Sequence, residues 1–356
     1  MNHGPTRALE PRPSAATHDL PRERRVAMLR GLMGRPDADT RPLARAIRKV
    51  AHASFDRHVV PLVELHWPDL RQDRFYEKLR IGACDLYASG PYTALFCDPR
   101  RPLLLRAVTG LASRLALPPR ALGVLAEGAL EVLGRAAFQD EHRRIALVAA
   151  FVMVVDHAFD HSLQHPAEVR AELLRRVLRG EREPRVPELA LTGALLDALH
   201  EGLDARRALD LSRALEKVDA WLSAEVAATC GLADPLGLGH RLPGVEGTID
   251  GLLFPVARYV GPETRRWMVS VSMYVQLMDD WLDVELDAAS DRPSPMTTGA
   301  WSFADVERGW RESVEGLEAL LTGAGLDGPS YVAFVRGAYV TMMTDVMEAM
   351  VARPSE

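Results

Sequence analysis

Apolar residues return at three- and four-residue intervals through nearly the whole chain after Asp39, and this spacing constrains the fold more than any other feature. It marks helices at roughly 41–66, 72–88, 101–116, 119–138, 142–163, 167–179, 187–200, 203–230, 248–260, 263–288, 303–322 and 329–351. No stretch alternates polar and apolar residues long enough for a half-buried strand, and no repeat of fixed period is visible. Proline and glycine punctuate the pattern, at Pro68, Gly90–Pro91, Pro118–Pro119, Pro166, Pro184, Gly261–Pro262 and Gly328–Pro329. The expectation is an all-α fold with one domain over 39–356. Residues 1–38 read as a flexible tail, because Pro5, Pro11, Pro13, Pro21 and Pro36 interrupt a stretch poor in apolar residues. A short helix near Arg24–Met33 is compatible with it. Cys230–Glu246, with Gly231, Pro235, Gly237, Gly239, Pro243 and Gly244, reads as a long loop.

Composition narrows the function classes. The net charge of −6 excludes a strongly basic nucleic-acid-binding domain. Cys84, Cys97 and Cys230 form no CxxC pair, which argues against a disulfide framework or zinc ribbon and for a reduced, cytoplasmic setting. The longest apolar run, Ile145–Val155, is too short to span a bilayer, and Met1–Leu20 lacks the apolar core of a signal peptide.

That apolar run continues into Asp156–His157–Ala158–Phe159–Asp160. On a helix, residues four apart share a face, so Asp156 and Asp160 stand one turn apart at the end of a buried helix. Two such carboxylates repel and resist burial, and hard divalent cations with oxygen preference compensate both costs. A solvated helix end explains this pair alone equally well. A second stripe shifts the balance. Tyr274–Val275–Gln276–Leu277–Met278–Asp279–Asp280–Trp281–Leu282–Asp283–Val284–Glu285–Leu286–Asp287 places Asp279, Asp283 and Asp287 at i, i+4 and i+8, with Asp280 bordering the face. A solvated face predicts interleaved Lys or Arg, yet no basic residue occurs between Tyr274 and Asp291. Two acidic helices facing each other suit two or three Mg²⁺ around one diphosphate, since Mg²⁺ uses few carboxylates and completes its shell with water and phosphate oxygens.

The second stripe resembles the second aspartate motif of the squalene and phytoene synthases, in which a Gln precedes an Asn-containing turn and then DxxED. Asp283 and Asp287 fall on that family's metal-binding aspartates, and Asp279 stands where Asn is usual. Arg292 matches the spacing of the diphosphate-binding Arg, and Pro295 follows it. Asp156–Asp160 is similar to the family's first motif, and Val260–Gly261 to the end of its apolar helix. The resemblance covers about residues 142–295 and implies an isoprenoid-synthase-type helical bundle around a central apolar cavity. It implies Mg²⁺ as cofactor and a prenyl diphosphate substrate, with C15 or C20 favoured. Met153 and Leu282 replace arginines of the family pattern, and Arg258 replaces a small residue. These departures favour a class I terpene synthase ionising one prenyl diphosphate over a head-to-head coupling enzyme. A prenyltransferase, a non-catalytic metal-binding scaffold and a homodimer stay open.

Further residues carry two readings each. Arg258 and Lys217, on otherwise apolar helices, need an anionic partner, either a structural carboxylate or the substrate diphosphate. Glu225 faces a cavity or snorkels to solvent. Phe151, Phe159, Phe254, Tyr259, Tyr274 and Trp281, with Gln276, are candidate cavity lining, and ordinary core is the commoner role for each aromatic. His157, His161 and His165 have zinc spacing, but cationic side chains near a helix end before Pro166 explain them more simply.

Overall fold

The computed structural model describes residues 20–34, 41–136, 138–162, 165–229, 238–289 and 294–351, and among these every regular element is helical. The α-helices are α1 (Arg22–Met33), α2 (Arg41–His58), α3 (Val60–His66), α4 (Arg74–Ile81), α5 (Ser89–Cys97), α6 (Leu103–Arg114), α7 (Pro119–Ala136) and α8 (Gln139–His157). They continue as α9 (Ala167–Leu178), α10 (Pro187–His200), α11 (Ala205–Thr229), α12 (Leu238–Leu253), α13 (Pro262–Ala289), α14 (Phe303–Gly323) and α15 (Pro329–Val351). Single π turns occupy Gly82–Tyr87 and Ala158–Ser162, and a 3₁₀ segment follows α12 at Phe254–Tyr259. No helix among the described residues is long and apolar enough to cross a membrane.

α8 is apolar on nearly every side, so it is stable only when surrounded. Ile145 through Phe151 and Met153 through Val155 are all buried, enclosed by α2, α7, α10, α12 and the π turn at 82–87. Asp140 and Glu141 occupy its first turn, where negative charge suits the helix dipole. Arg170 covers the other end by donating to the Phe159 and Asp160 carbonyls.

α13 is fixed at both ends by other parts of the chain. Buried Asp98 accepts hydrogen bonds from the Gly261 amide (2.7 Å) and the Thr264 hydroxyl (2.5 Å), which caps the helix start. Near the other end, fully buried Arg25 of α1 pairs with Glu285 (3.1 Å) and donates to the Leu282 carbonyl, while the Trp281 indole N–H reaches the Arg25 carbonyl (3.4 Å).

Three expectations are corrected here. Residues 22–33 are not tail: Arg25, Val26, Leu29 and Met33 are buried against α13 and α15, with Arg25 held there by Glu285. The rest of the proposed tail lies mostly outside the described residues. The expected loop at 230–246 contains the start of α12 from Leu238. Gly244 and Gly247 let α12 press onto α11, where a Cβ would fall 2.5 Å from the Trp221 ring and 2.9 Å from the Lys217 Cβ. This packing outweighs the local cost of Pro243 within the helix. Gly90–Pro91 does not break structure either. Pro91 falls in the first turn of α5, where its missing N–H is harmless.

Candidate functional site

A cleft lies between α8, α11, α12 and α13, with the π turn at 82–87 and α10 completing its wall. It encloses about 140 Å³ within about 1050 Å³ of open space that includes its mouth. Val148, Phe151, Val152 and Val155 of α8 form one wall, and Leu211, Leu215, Val218 and Trp221 of α11 form another. Tyr87 projects from the π turn. α11 and α12 run antiparallel, since Lys217 meets Gly247 while Trp221 meets Gly244.

Asp156 lines this cleft at the end of the apolar wall. It retains some solvent contact, but protein surrounds it on most sides, and its carboxyl is pushed up to about 7. Burial is the largest cause. Asp160 follows, Glu225 and Asp279 add to it, and Lys78 opposes it. The first stripe, the second stripe and α11 therefore share one electrostatic neighbourhood. On α13, Ser272 and Gln276 line the cleft, and helical spacing puts Asp279, Asp283 and Asp287 on the same stripe above them. Asp280 is buried at the border of that face. Asp160 is exposed and sits in the π turn that follows α8, a local widening that often marks functional positions.

The donor chemistry is all carboxylate oxygen, which fits Mg²⁺ and not a softer metal. Among the described residues no three carboxylate, imidazole or thiol groups converge into a self-sufficient metal cluster.

Several sequence expectations are corrected by placement. Arg258 pairs with buried Glu141, which Arg207 also approaches (3.4 Å), and it stacks on Tyr259. Glu141 stands 15 residues before Asp156, about 22 Å along α8, so Arg258 serves that buried carboxylate and not the acidic mouth. Tyr259 packs on Phe138 at the same remote end. Phe159 is buried against Trp221 and Arg170, Tyr274 against Trp310, and Trp281 against Phe303. Phe254 is buried in the core. None of these five aromatics lines the cleft; Phe151 and Gln276 do. Lys217 lines it too, held by Asp250, which also binds Arg265; burial and Arg265 lower the Lys217 pKa. His157 stacks on Phe75 with ring centroids 3.6 Å apart, away from the cleft. Arg292 lies outside the described residues.

Trp221, Tyr87 and Lys78 were not legible as site residues. Trp221 had a signal: Lys217, Trp221 and Glu225 recur at i, i+4 and i+8, a stripe like the aspartate stripes but of mixed chemistry. Tyr87 lines the cleft from the π turn and Lys78 of α4 acts on Asp156 through its charge; both are far away in sequence, and nothing local marks them. No family model matches the chain, and no curated protein or solved structure matches it.

Proposed function

We propose that the chain is a Mg²⁺-dependent class I terpene synthase with an isoprenoid-synthase-type helical fold, converting a prenyl diphosphate to a terpene hydrocarbon or alcohol. The observation that carries this reading is Asp156 at the end of a largely apolar cleft, near enough to Asp279 of a different helix for the charge of Asp279 to raise its pKa. Asp156 and Asp160 would hold metal from one side, and Asp279, Asp283 and Asp287, bordered by Asp280, from the other. Bound Mg²⁺ would supply positive charge to the departing diphosphate. Lys78 of α4 is near enough for its charge to lower the Asp156 pKa and would be available to phosphate oxygens there. Val148, Val152, Leu215 and Val218 exclude water from the chain of the substrate. Phe151, Trp221 and Tyr87 put aromatic rings in the cleft lining, where a carbocation would find a favourable contact in a desolvated site. Arg292 keeps the diphosphate role that the sequence resemblance implies.

The test is incubation of purified protein with Mg²⁺ and, separately, with ten-, fifteen-, twenty- and twenty-five-carbon prenyl diphosphates, read by gas chromatography–mass spectrometry. A chelator-sensitive terpene from one substrate is the expected result. A longer product formed only from a substrate mixture, or with reduced nicotinamide, would replace this reading with a coupling enzyme. No turnover and no diphosphate binding would overturn it.

A further inference from the structure

Serine and threonine hydroxyls inside helices commonly bond the carbonyl four residues earlier. Thr109, Thr192, Ser212, Ser223, Ser270 and Thr344 do so in this chain. Thr248 of α12 and Ser272 of α13 behave differently. Both line the cleft, and neither hydroxyl bonds any described residue. The backbone does not forbid the bond near Ser272, since Ser270 makes it on the same helix. Gln276 lies one turn beyond Ser272, lines the cleft as well, and likewise has no partner among the described residues. α12 packs directly on α13, so these neighbouring helices contribute all three polar side chains to the cleft lining, a polar seam. α8 and α11 line the same cleft with apolar Val148, Phe151, Val152, Leu215 and Val218, and with the charged Asp156, Lys217 and Glu225.

A polar group facing a dry cavity costs free energy unless something bonds it, and a water with two to four polar partners is the usual solution. A chamber that only deprotonated its cation would gain nothing from this seam. We propose that Thr248, Ser272 and Gln276 hold a water against the bound chain, and that the product is an alcohol. This rests on the terpene synthase reading above. The allylic C–O bond breaks with its electron pair leaving on diphosphate. The water oxygen then forms a new C–O bond with the cationic carbon, and the oxonium proton passes to the released diphosphate.

Two arms test it. The first needs neither metal nor turnover: displacement of a fluorescent apolar probe by nerolidol, a fifteen-carbon tertiary alcohol, and by farnesene, a hydrocarbon of the same chain length. The full-length protein should prefer nerolidol by about tenfold, the scale of one or two net hydrogen bonds. The Thr248→Val/Ser272→Ala/Gln276→Leu variant should lose that preference while still taking up the probe. If the triple variant fails to fold, Thr248→Val alone should reduce the preference. Equal affinity of the unmodified protein for both ligands overturns the proposal. The second arm is turnover in ¹⁸O-water, where one labelled oxygen per product molecule is expected and an unlabelled hydrocarbon as sole product overturns the water step. Absence of turnover with nerolidol preference intact would refute the terpene synthase reading, and the water step with it, while leaving the seam as an alcohol-binding site.

Discussion

α8 and α13, which both line the cleft and carry the two acidic stripes, are held in place by different means. α8 is held by its whole circumference: its apolar residues leave no solvated side, and Asp156 follows directly from that core. α13, at 28 residues, buries chiefly one side and is pinned at discrete points, Asp98 at its start and Arg25 near its end. One register is set by packing on nearly every side, and the other by packing on α12 and α14 together with these polar contacts. Asp156 is therefore fixed by the core around α8, whereas the end of α13 that carries the second stripe is also tied to an N-terminal helix remote from it in sequence.

The largest expected effect is on turnover. Asp283→Ala should lower turnover at least a hundredfold, since losing about 3 kcal/mol of transition-state stabilisation has that effect. Steady-state kinetics of a folded variant checks it, and retained activity would remove α13 from the site.

The next test concerns titration, where α8 carries two groups of opposite sign. Buried His142, near its start, has its pKa lowered to about 4, mainly by burial. It is protonated near pH 6.5 when unfolded but only near 4 when folded. Its contribution to stability is therefore complete above about pH 6.5 and falls by roughly 3 kcal/mol as pH drops to 4. Asp156 works the other way. Its raised pKa makes the metal-free chain lose stability as pH rises from about 4 through about 7. Denaturation of an Asp156→Asn chain should show a higher Tm at pH 8 and an unmasked loss toward acid, which an added His142→Gln should flatten. A profile unchanged by either substitution would mean that α8 is less enclosed than described.

The smallest effects sharpen the contrast at the Arg25 pin. Glu285→Ala leaves a buried guanidinium with only carbonyl partners and should cost about 2 kcal/mol, below the usual range because Glu285 is itself 44% exposed. Arg25→Met removes the buried charge instead and should cost less than about 1 kcal/mol. Urea denaturation of both variants measures the asymmetry, and equal losses would argue against a desolvated cation at this position.

Much of the helical order was legible because long periodic segments carry their own signal: α9, α10, α14 and α15 lie within a residue or two of their expected bounds. The failures share one cause, which is packing between parts of the chain distant in sequence. α1 is short and proline-flanked, and it is fixed by burial of Arg25 under α13. α12 starts early because Trp221 and Lys217 supply a surface that only glycine can approach. The acidic half of the site was legible because charge without counter-charge on a helix face is a local anomaly. The aromatic half was not, because Phe159, Tyr274 and Trp281 have the spacing of core and lining alike, and only their neighbours decide. Lys217 and Arg258 looked equivalent in sequence. One reaches the cleft beside Asp250, and the other is taken by Glu141.

The central claim is that the two stripes form one site. Calorimetric titration of inorganic diphosphate in the presence of Mg²⁺ tests it most directly, with the full-length chain, Asp156→Asn, Asp283→Asn and the double variant. A shared site predicts that each single substitution weakens binding at least about tenfold and that the double loses much less than the product of the two, because the partners couple. Fully multiplicative losses, or diphosphate binding that survives both substitutions, would contradict it.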